Sequence, residues 1–446
     1  MLPVGKLLIY GLQHVLAMYA GAVAVPLMVA RGLGLTQEQL IYLINADLFT
    51  CGIATLIQTV GIWKMGIRIP IIQGVTFAAV TPMIVIGQQQ GMSAIYGSII
   101  VAGAVTFFIS PYFSRLLRFF PPVVTGTIIT LIGVTLMPVA VRWAGGGNPA
   151  AGDFGSGSHL LLALITLSAV VFCHRCFAGF LSNIAVLLGL VAGTVLALGL
   201  GMAHFTQLAT ANWVGVTTPF AFGRPTFDAS AIAVMVLVML VAMSETTGDC
   251  IAVGEITGRP VTQESLTRGL RADGFSTVLG GILNSFPYTA FAQNVGLVGL
   301  TQVKSRFVVA AAGVILVLLG LFPKLAAIIA AIPTPVLGGA GIAMFGMVAA
   351  SGIKTLGKVP FEGTHNIMVI AISLGVGMIT LAEPKFYQHF SGWTQIILNS
   401  GITAGSVAAI ILNALLNGAS SSALPAPEGS TKRSSGGSKA ACEKLR

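Results

Sequence analysis

Two acidic residues four positions apart, Glu245 and Asp249, lie in the segment Ser244-Glu-Thr-Thr-Gly-Asp249 within a long apolar stretch. Residues four apart share one face of an α-helix. Ionisable side chains inside a membrane are costly to place and are functional by default. Two carboxyl groups this close in a low dielectric oppose each other's ionisation, so one of them could hold a proton near neutral pH. The pair therefore indicates a site that binds N–H donors, couples to protons, or does both.

The segment from Asn284 to Arg306 is the most polar part of an otherwise apolar region. Pro287 and two glycines interrupt any continuous helix there, and its polar side chains include Gln293 and Asn294. Inside a membrane, broken helices survive where they line a cavity, and they mark the substrate sites of many transporters. The uncharged Gln293 amide can donate and accept at once, so it can bind the edge of a heterocycle. This segment predicts a site for a small, flat molecule with N–H and C=O groups.

Further candidates are polar or aromatic side chains in other apolar segments. They are His14, Asp47, Thr76, Phe77 and Asp273. The Phe77 ring could stack on a planar ligand, and a histidine can titrate and relay protons. Each candidate also has a structural alternative, since acids can tie helices together and rings can simply pack. Arg271 could pair with Asp273 at the membrane surface, and Asn294 is expected to secure the broken backbone.

The composition is that of a membrane protein. Of 446 residues, 55% are hydrophobic and only 8% are charged, against about 25% charged in soluble domains. The apolar runs are long and continuous, which favours helices over a barrel. The net charge of +10 is spread along the chain rather than clustered, so it indicates a positive cytoplasmic side and not a nucleic-acid partner.

The apolar runs predict 14 transmembrane segments. They lie near residues 7–30, 40–60, 69–87, 94–113, 121–141, 158–174 and 180–203, and then near 229–250, 266–284, 287–301, 307–331, 335–352, 365–381 and 395–416. A cytoplasmic N-terminus places most of the 23 Lys and Arg residues on the cytoplasmic side. We therefore expect both termini in the cytoplasm, with residues 418–446 as a disordered tail rich in Ser, Gly and Pro.

The two halves of the chain share a repeat. Pro122-Val-Val-Thr-Gly126 recurs as Pro335-Val-Leu-Gly-Gly339, and the same offset aligns Thr76 with Thr289. The broken segment Pro70–Pro82 thus pairs with the broken segment of the second half. Since each half has an odd number of spans, the two copies enter the membrane from opposite sides. Inverted repeats with matching broken helices are typical of secondary transporters whose site lies at the midplane.

Metal, redox and enzymatic functions are not favoured by the sequence. Cys173-His-Arg-Cys176 has a CxxC spacing but no second pair, whereas structural zinc takes four ligands. No nucleophile–base pair or phosphate-binding loop stands out, so we predict no enzyme, no metal and no cofactor. The first apolar run, Leu7 to Ala30, is too long for the core of a signal peptide, so no cleavable signal is expected.

The run Gln293-Asn294-Val-Gly296-Leu-Val-Gly-Leu-Thr301 is similar to the signature of the nucleobase–ascorbate transporter family, the nucleobase:cation symporters. The Gln13-His14 pair, the Glu245…Asp249 segment, Asp273 and the run Pro335-Val-Leu-Gly-Gly also resemble that family, in the same order along the chain. The resemblance covers about residues 7–416. Gln302 is the one departure, because a basic residue or Gly is usual there, and this position concerns substrate range.

The resemblance implies an all-α polytopic membrane protein of 14 transmembrane segments in two inverted seven-span repeats, with short broken or extended segments in spans 3 and 10. A core domain (residues 1–120 and 228–331) would hold the substrate against a gate domain (residues 121–227 and 332–417). The core would slide or rock against the gate, and members of the family commonly form homodimers. The expected location is the cytoplasmic membrane.

The resemblance also implies roles for individual residues. Glu245 and Gln293 would anchor a purine, with backbone near Ala292 assisting. Phe77 would stack on the purine, and Asn294 would belong to the substrate-binding residues. Asp249, Asp273 and His14 would support the site or the coupling to protons.

The substrate can be narrowed by the same resemblance. Uracil carriers tend to have Glu at the Gln293 position, and Val75–Met83 is similar to bacterial uric acid transporters. A small Thr76, where xanthine carriers more often have Asn, leaves room for the extra oxygen of urate. The sequence thus predicts a proton-coupled symporter for uric acid, with xanthine next. Alternatives are an anion transporter on the same general fold, a uracil or other nucleobase permease, and a channel or structural membrane protein.

Overall fold

The computed structural model describes residues 3–116, 119–203, 208–209, 211–362, 365–390 and 392–418. Almost all of the tail that is predicted to be disordered, residues 419–446, lies outside these ranges.

The first half of the chain is helical apart from one short strand. Its helices are α1 (Val4–Gly32), α2 (Gln37–Val60), α3 (Val80–Gln90), α4 (Met92–Ile109), α5 (Phe113–Leu116), α6 (Pro122–Ala144), α7 (Gly157–Cys176), α8 (Phe180–Asn183) and α9 (Ala185–Gly199). Strand β1 (Gln73–Val75) and a 3-10 turn (Phe77–Ala79) precede α3, and a second 3-10 turn (Ser110–Tyr112) follows α4.

The second half is likewise mostly helical and has one short strand. Its helices are α10 (Ala229–Thr257), α11 (Gln263–Ile282), α12 (Ala292–Thr301), α13 (Arg306–Leu319), α14 (Pro323–Ala330), α15 (Thr334–Leu356), α16 (Asn366–Ala382), α17 (Gly392–Leu398) and α18 (Gly401–Leu416). Strand β2 (Tyr288–Ala290) lies directly before α12.

Local sequence explains where several helices begin. Thr36 before α2 and Thr262 before α11 each form a capping box with the residue three positions on. Asp228 caps α10, where the Ser230 hydroxyl and the backbone N–H of Ala231 donate to its carboxylate and lower its pKa. Pro323 starts α14 and lacks the N–H that would continue α13, and the two helices meet at an angle of 83°.

The fold is that of a mostly helical polytopic membrane protein. Within the described ranges, seven helices are long and apolar enough to cross a membrane, or eight if the bent pair α13–α14 is counted as one span. Three shorter apolar helices, α9, α16 and α18, add to these. Each of the 14 predicted segments coincides with one or more elements. The remaining predicted segments are not long and apolar enough to count as membrane-crossing helices: they are short, polar like α11, or interrupted by β1 or β2. The number of 14 spans therefore stays a prediction.

The two interrupted segments meet as a pair of antiparallel strands. Gly74 of β1 lies opposite Thr289 of β2, with Gln73 opposite Ala290 and Val75 opposite Tyr288. Gly74 is required by the close packing, because a Cβ atom there would lie 2.3 Å from the Phe291 ring. Since the strands are antiparallel, α3 and α12 leave the pair in opposite directions.

Helix contacts divide the described chain into two bundles. The strand-bearing bundle joins α4 to α11 and α10, and α13 to α1 and α2, around the strand pair. The flanking bundle joins α6 to α15 and α18, α7 to α9 and α15, and α16 to α18. Small residues permit the closest approaches, as at Gly103 against Gly274 in the first bundle and Gly133 against Ala349 in the second.

Candidate functional site

The predicted carboxyl pair lies on α10, which packs against both β2 and α12. Glu245 and Asp249 are each half-buried, and Gly248 between them is exposed. Among the described residues, no Lys or Arg forms an ion pair with either carboxylate. Both carboxyl groups are thus partly accessible on the surface that α10 shares with the start of α12, which is called the crevice below and is bounded by Glu245, Asp249, Ala292 and Gln293.

Gln293 lies in the first turn of α12, directly after the strand pair. Both Gln293 and Ala292 are exposed. No side chain caps the start of this helix. The Asn294 N–H donates to the Phe291 oxygen, while the N–H groups of Ala292 and Gln293 remain available, and the helix dipole favours acceptors and negative charge at this end. This end of α12 can therefore bind carbonyl oxygens or an anionic ring through its backbone and through the Gln293 amide.

Asn294 points away from this crevice, although it follows Gln293 directly. It is only 1% exposed. Its Nδ2 donates to the backbone oxygen of His14 at 2.9 Å and lies 3.0 Å from Nδ1 of the same residue. His14 is likewise buried in α1. The two residues fix the start of α12 to α1 and do not line the crevice themselves.

Phe77 and Thr76 lie at the other end of the strand pair. Phe77 is half-buried, and its ring meets Phe345 of α15 edge-on with centroids 6.1 Å apart. Thr76 is 2% exposed, and its hydroxyl accepts the Ala78 N–H at 3.2 Å. Thr76 therefore caps the 3-10 turn that begins with Phe77.

Asp273 lies behind the crevice on α11 and is 1% exposed. Gln58 of α2 donates to its Oδ1 at 3.0 Å. The side chains of Thr246 and Gln73 also lie beside this carboxyl group. The suggested surface pair with Arg271 is not formed, because residues two apart point to different sides of a helix. The Arg271 guanidinium instead lies over the Phe107 ring.

Asp47 belongs to a separate buried cluster on α2. Its Oδ1 accepts hydrogen bonds from the Ser285 hydroxyl at 2.8 Å and from the Tyr288 hydroxyl at 3.1 Å. These bonds attach the segment before β2 to α2. Sequence reasoning singled out neither Tyr288 nor Gln58, since an isolated polar residue in an apolar helix does not reveal its partner.

A polar cavity of about 290 Å³ lies away from Glu245 and Gln293. Its walls come from α3, α6, α16 and the start of α18, and carry the amides of Gln88, Gln89 and Asn399. In the ranges that the structure describes, no group of three or more His, Cys, Asp or Glu residues could hold a metal ion.

Comparison with known families and proteins relates the whole fold to permeases. A family model described as "Permease family" (Xan_ur_permease) matches residues 5–386. The chain is 46% identical to the xanthine permease of Bacillus subtilis (strain 168) over 413 residues, 93% of this chain and 94% of that protein. It is 46% identical to the uric acid transporter UacT of Escherichia coli (strain K12) over 420 residues, 93% of this chain and 86% of that protein.

Solved structures with a similar fold are anion transporters of low sequence identity. The transmembrane domain of a cyanobacterial bicarbonate transporter, BicA, matches with a TM-score of 0.58 and 15% identity, over 89% of this chain and 97% of that one. SLC26A9 matches with a TM-score of 0.58 and 11% identity, over 93% of this chain and 66% of that one. At such identities the likeness concerns the fold alone.

Proposed function

The chain belongs to this permease family and is a multi-pass membrane transporter, not an enzyme, and we propose that it imports uric acid, with xanthine as its next substrate. The names of its relatives support a purine, since they include a xanthine permease and a uric acid transporter. The observation that carries the proposal is that the exposed Gln293 lies at the uncapped start of α12, and that α12 packs against α10, the helix of the two carboxylates without a Lys or Arg partner among the described residues.

Each group in the crevice matches one feature of an oxidised purine. The Glu245 carboxylate accepts from ring N–H groups, and the Gln293 amide pairs with an adjacent N–H and C=O. N–H groups of the first turn of α12 bind a ring carbonyl. Phe77 stacks on the ring face. Hydrogen-bonding groups of this kind reject a ring that lacks their partners, because a buried polar group would then stay unpaired.

Transport is proposed to be driven by protons. Glu245 and Asp249 are half-buried and one helical turn apart, so negative charges on both would repel each other. No Lys or Arg among the described residues neutralises them. Taking up one proton relieves this repulsion, so substrate binding and proton binding favour each other.

Alternating access is proposed to be a movement of the strand-bearing bundle, as core, against the flanking bundle, as gate. The crevice carries side chains of the first bundle, while Phe77 touches Phe345 of the second. A second contact between the bundles is the Arg31 guanidinium over the Trp143 ring at 5.6 Å. We also propose 14 spans in two inverted repeats, with both termini in the cytoplasm. The protein is proposed to form a homodimer. The location is the cytoplasmic membrane.

Uptake of radiolabelled urate and xanthine by a purine-transport-deficient bacterium expressing the chain tests this function. Uptake of both purines that an uncoupler abolishes is the expected result. Uptake that ignores the uncoupler would overturn proton coupling. Uptake of bicarbonate or sulfate, with none of either purine, would instead assign the chain to the chemistry of an anion transporter on this fold.

A further inference from the structure

The strand pair at the centre of the molecule has two outer edges. A pair of three-residue strands satisfies only the backbone groups that face each other, and in an antiparallel pair alternate residues turn theirs outward. Thr76 N–H to the Pro287 oxygen, at 2.9 Å, and Phe291 N–H to the Ile72 oxygen, at 3.1 Å, extend the pairing by one bond at each end. The outward groups remain, and inside a membrane each needs another partner.

On the β1 side, α2 supplies that partner. The Gln73 N–H donates to the Thr55 hydroxyl at 3.1 Å, and the Cys51 thiol donates to the Gln73 carbonyl at 2.8 Å. Cys51 and Thr55 are one turn apart on α2 and fully buried. One face of α2 thus bonds both outward backbone groups of Gln73 on the outer edge of β1.

On the β2 side, two helices share the same task. The Tyr288 N–H donates to the Thr277 hydroxyl of α11 at 3.1 Å, and the Ala290 N–H donates to the Thr246 hydroxyl of α10 at 3.0 Å. Both threonines are fully buried. A threonine hydroxyl therefore accepts an outward N–H group on each strand.

Thr246 has a position that the other two lack, because it is next to Glu245 in sequence. Its hydroxyl lies 3.0 Å from the Thr289 hydroxyl and also borders the Asp273 carboxyl group. The strand that it holds continues after Phe291 into Ala292 and Gln293. A single side chain thus connects the helix of the acid to the strand that carries the amide.

We propose that Thr246 is a positioning residue that fixes the spacing between Glu245 and Gln293, and that Thr55 and Thr277 hold the two strands in register for the same site. This inference rests on the proposed function for its substrate but not for its geometry. Loss of the Thr246 hydroxyl leaves the Ala290 N–H unpaired and lets β2 shift relative to α10. The acid and the amide then no longer match one ligand edge.

Two isosteric variants of full-length protein test the proposal. Thr246→Val removes the hydroxyl that holds β2. Thr247→Val is the matched control, since Thr247 is buried next to it but bonds only to the Met243 oxygen of its own helix, at 2.7 Å. Thr246→Ser keeps a hydroxyl group and should behave like the wild-type protein. A second matched pair, Thr55→Val and Thr50→Val, acts on β1, and the buried Thr50 hydroxyl has no hydrogen-bond partner among the described residues.

Each variant is measured by hydrogen exchange of backbone amides 288–291 and 73–76 in purified protein, and by the apparent KM for urate and xanthine at matched protein amounts. We expect Thr246→Val to speed exchange in 288–291 and to raise KM by about fivefold or more, the factor for one ordinary hydrogen bond. The KM ratio of the two purines should change as well, which a loss of folded protein alone would not cause. Thr247→Val should leave all three values unchanged.

Equal values for Thr246→Val and Thr247→Val would overturn the inference. So would faster exchange in 288–291 with unchanged KM values. If Thr246→Val does not fold, Thr55→Val is compared with Thr50→Val instead. Equal hydrogen exchange of amides 73–76 and equal KM values for these two variants would then overturn the inference. Failure of the wild-type protein to carry either purine would overturn the proposed function instead, and hydrogen exchange would still decide whether the threonines hold the strands.

Discussion

At the scale of single residues, the proposed site depends on side chains that no Lys or Arg among the described residues neutralises. Glu245, Asp249 and Gln293 are accessible, whereas Asn294 and Thr76 are turned into the protein and bonded there. The sequence singled out all five as polar groups in apolar spans. The residues alone predicted that Asn294 secures the broken backbone, while the family resemblance grouped it with the substrate-binding residues. The partner that holds it, His14, could not be predicted, because only tertiary packing brings α1 to the start of α12.

Replacing Glu245 by Gln should nearly abolish urate uptake. The amide keeps the size of the side chain but loses the charge that accepts ring N–H groups, and hydrogen bonds to charged groups contribute about 1.5–3 kcal/mol, or roughly 10- to 100-fold. Initial uptake rates at several urate concentrations measure the loss. Asp153→Asn, a change of the same kind at an exposed loop residue, should leave uptake intact. Normal uptake by Glu245→Gln would remove this residue from the site.

Replacing Thr76 by Asn should shift preference from urate toward xanthine. Asn is also a good capping residue, so the 3-10 turn survives, while its larger side chain displaces Phe77 and leaves less room for the third carbonyl of urate. A shift of roughly threefold to tenfold in the ratio of apparent KM values is expected, at or below the range for a change of one methylene. Competition between the two labelled purines measures it. Thr76→Ser should keep the wild-type ratio, and an unchanged ratio in Thr76→Asn would reject this role.

At the scale of elements, the strand pair is the feature that the site is built on. Proline and glycine together with polar side chains in both segments predicted a break, because polar, interrupted backbone inside a membrane is typical of a segment that lines a site. The register of Gly74 against Thr289 could not be predicted, since strands of three residues show no periodicity of their own. The register comes from partners far away in the sequence, such as Asp47 with Ser285 and Thr55 with Gln73.

Adding a methyl group at Gly74 should disrupt this pair. The new Cβ would lie 2.3 Å from the Phe291 ring, and such overpacking costs about 1–3 kcal/mol. Gly74→Ala should lower the thermal unfolding midpoint in detergent and abolish uptake. Gly375→Ala is the control, because a Cβ in that helix meets nothing within 4 Å. Equal midpoints and uptake for the two variants would contradict the close packing of β1.

At the scale of the whole molecule, composition alone predicted a helical membrane protein. A soluble fold could not bury so many apolar residues with so few charged residues left for its surface. Family membership follows from the comparisons over most of the chain. The division into two bundles could not be predicted from hydrophobic patterns in the sequence, since all spans are similarly apolar. It depends on which glycines meet which helices, as Gly133 meets Ala349.

Linking the two bundles should stop transport. A cleavable cross-linker between Arg31→Cys and Trp143→Cys, in a functional background without the native cysteines, bridges the contact of α1 with α6. When cross-linking is complete, uptake should fall by about tenfold, because alternating access requires the bundles to move relative to each other. Uptake should return after the linker is cleaved. Leu160→Cys alone, exposed on α7, should be insensitive to the reagent. Full uptake by the linked protein would show that the bundles do not move at this contact.

The most direct test of the central claim is uptake of labelled urate by purified wild-type protein and by Gln293→Ala in proteoliposomes with an imposed proton gradient. The account predicts that urate accumulates in wild-type vesicles only while the gradient is present, and that Gln293→Ala vesicles with the same amount of folded protein accumulate at least about tenfold less. Equal accumulation by the two proteins, or none by the wild type, would contradict it.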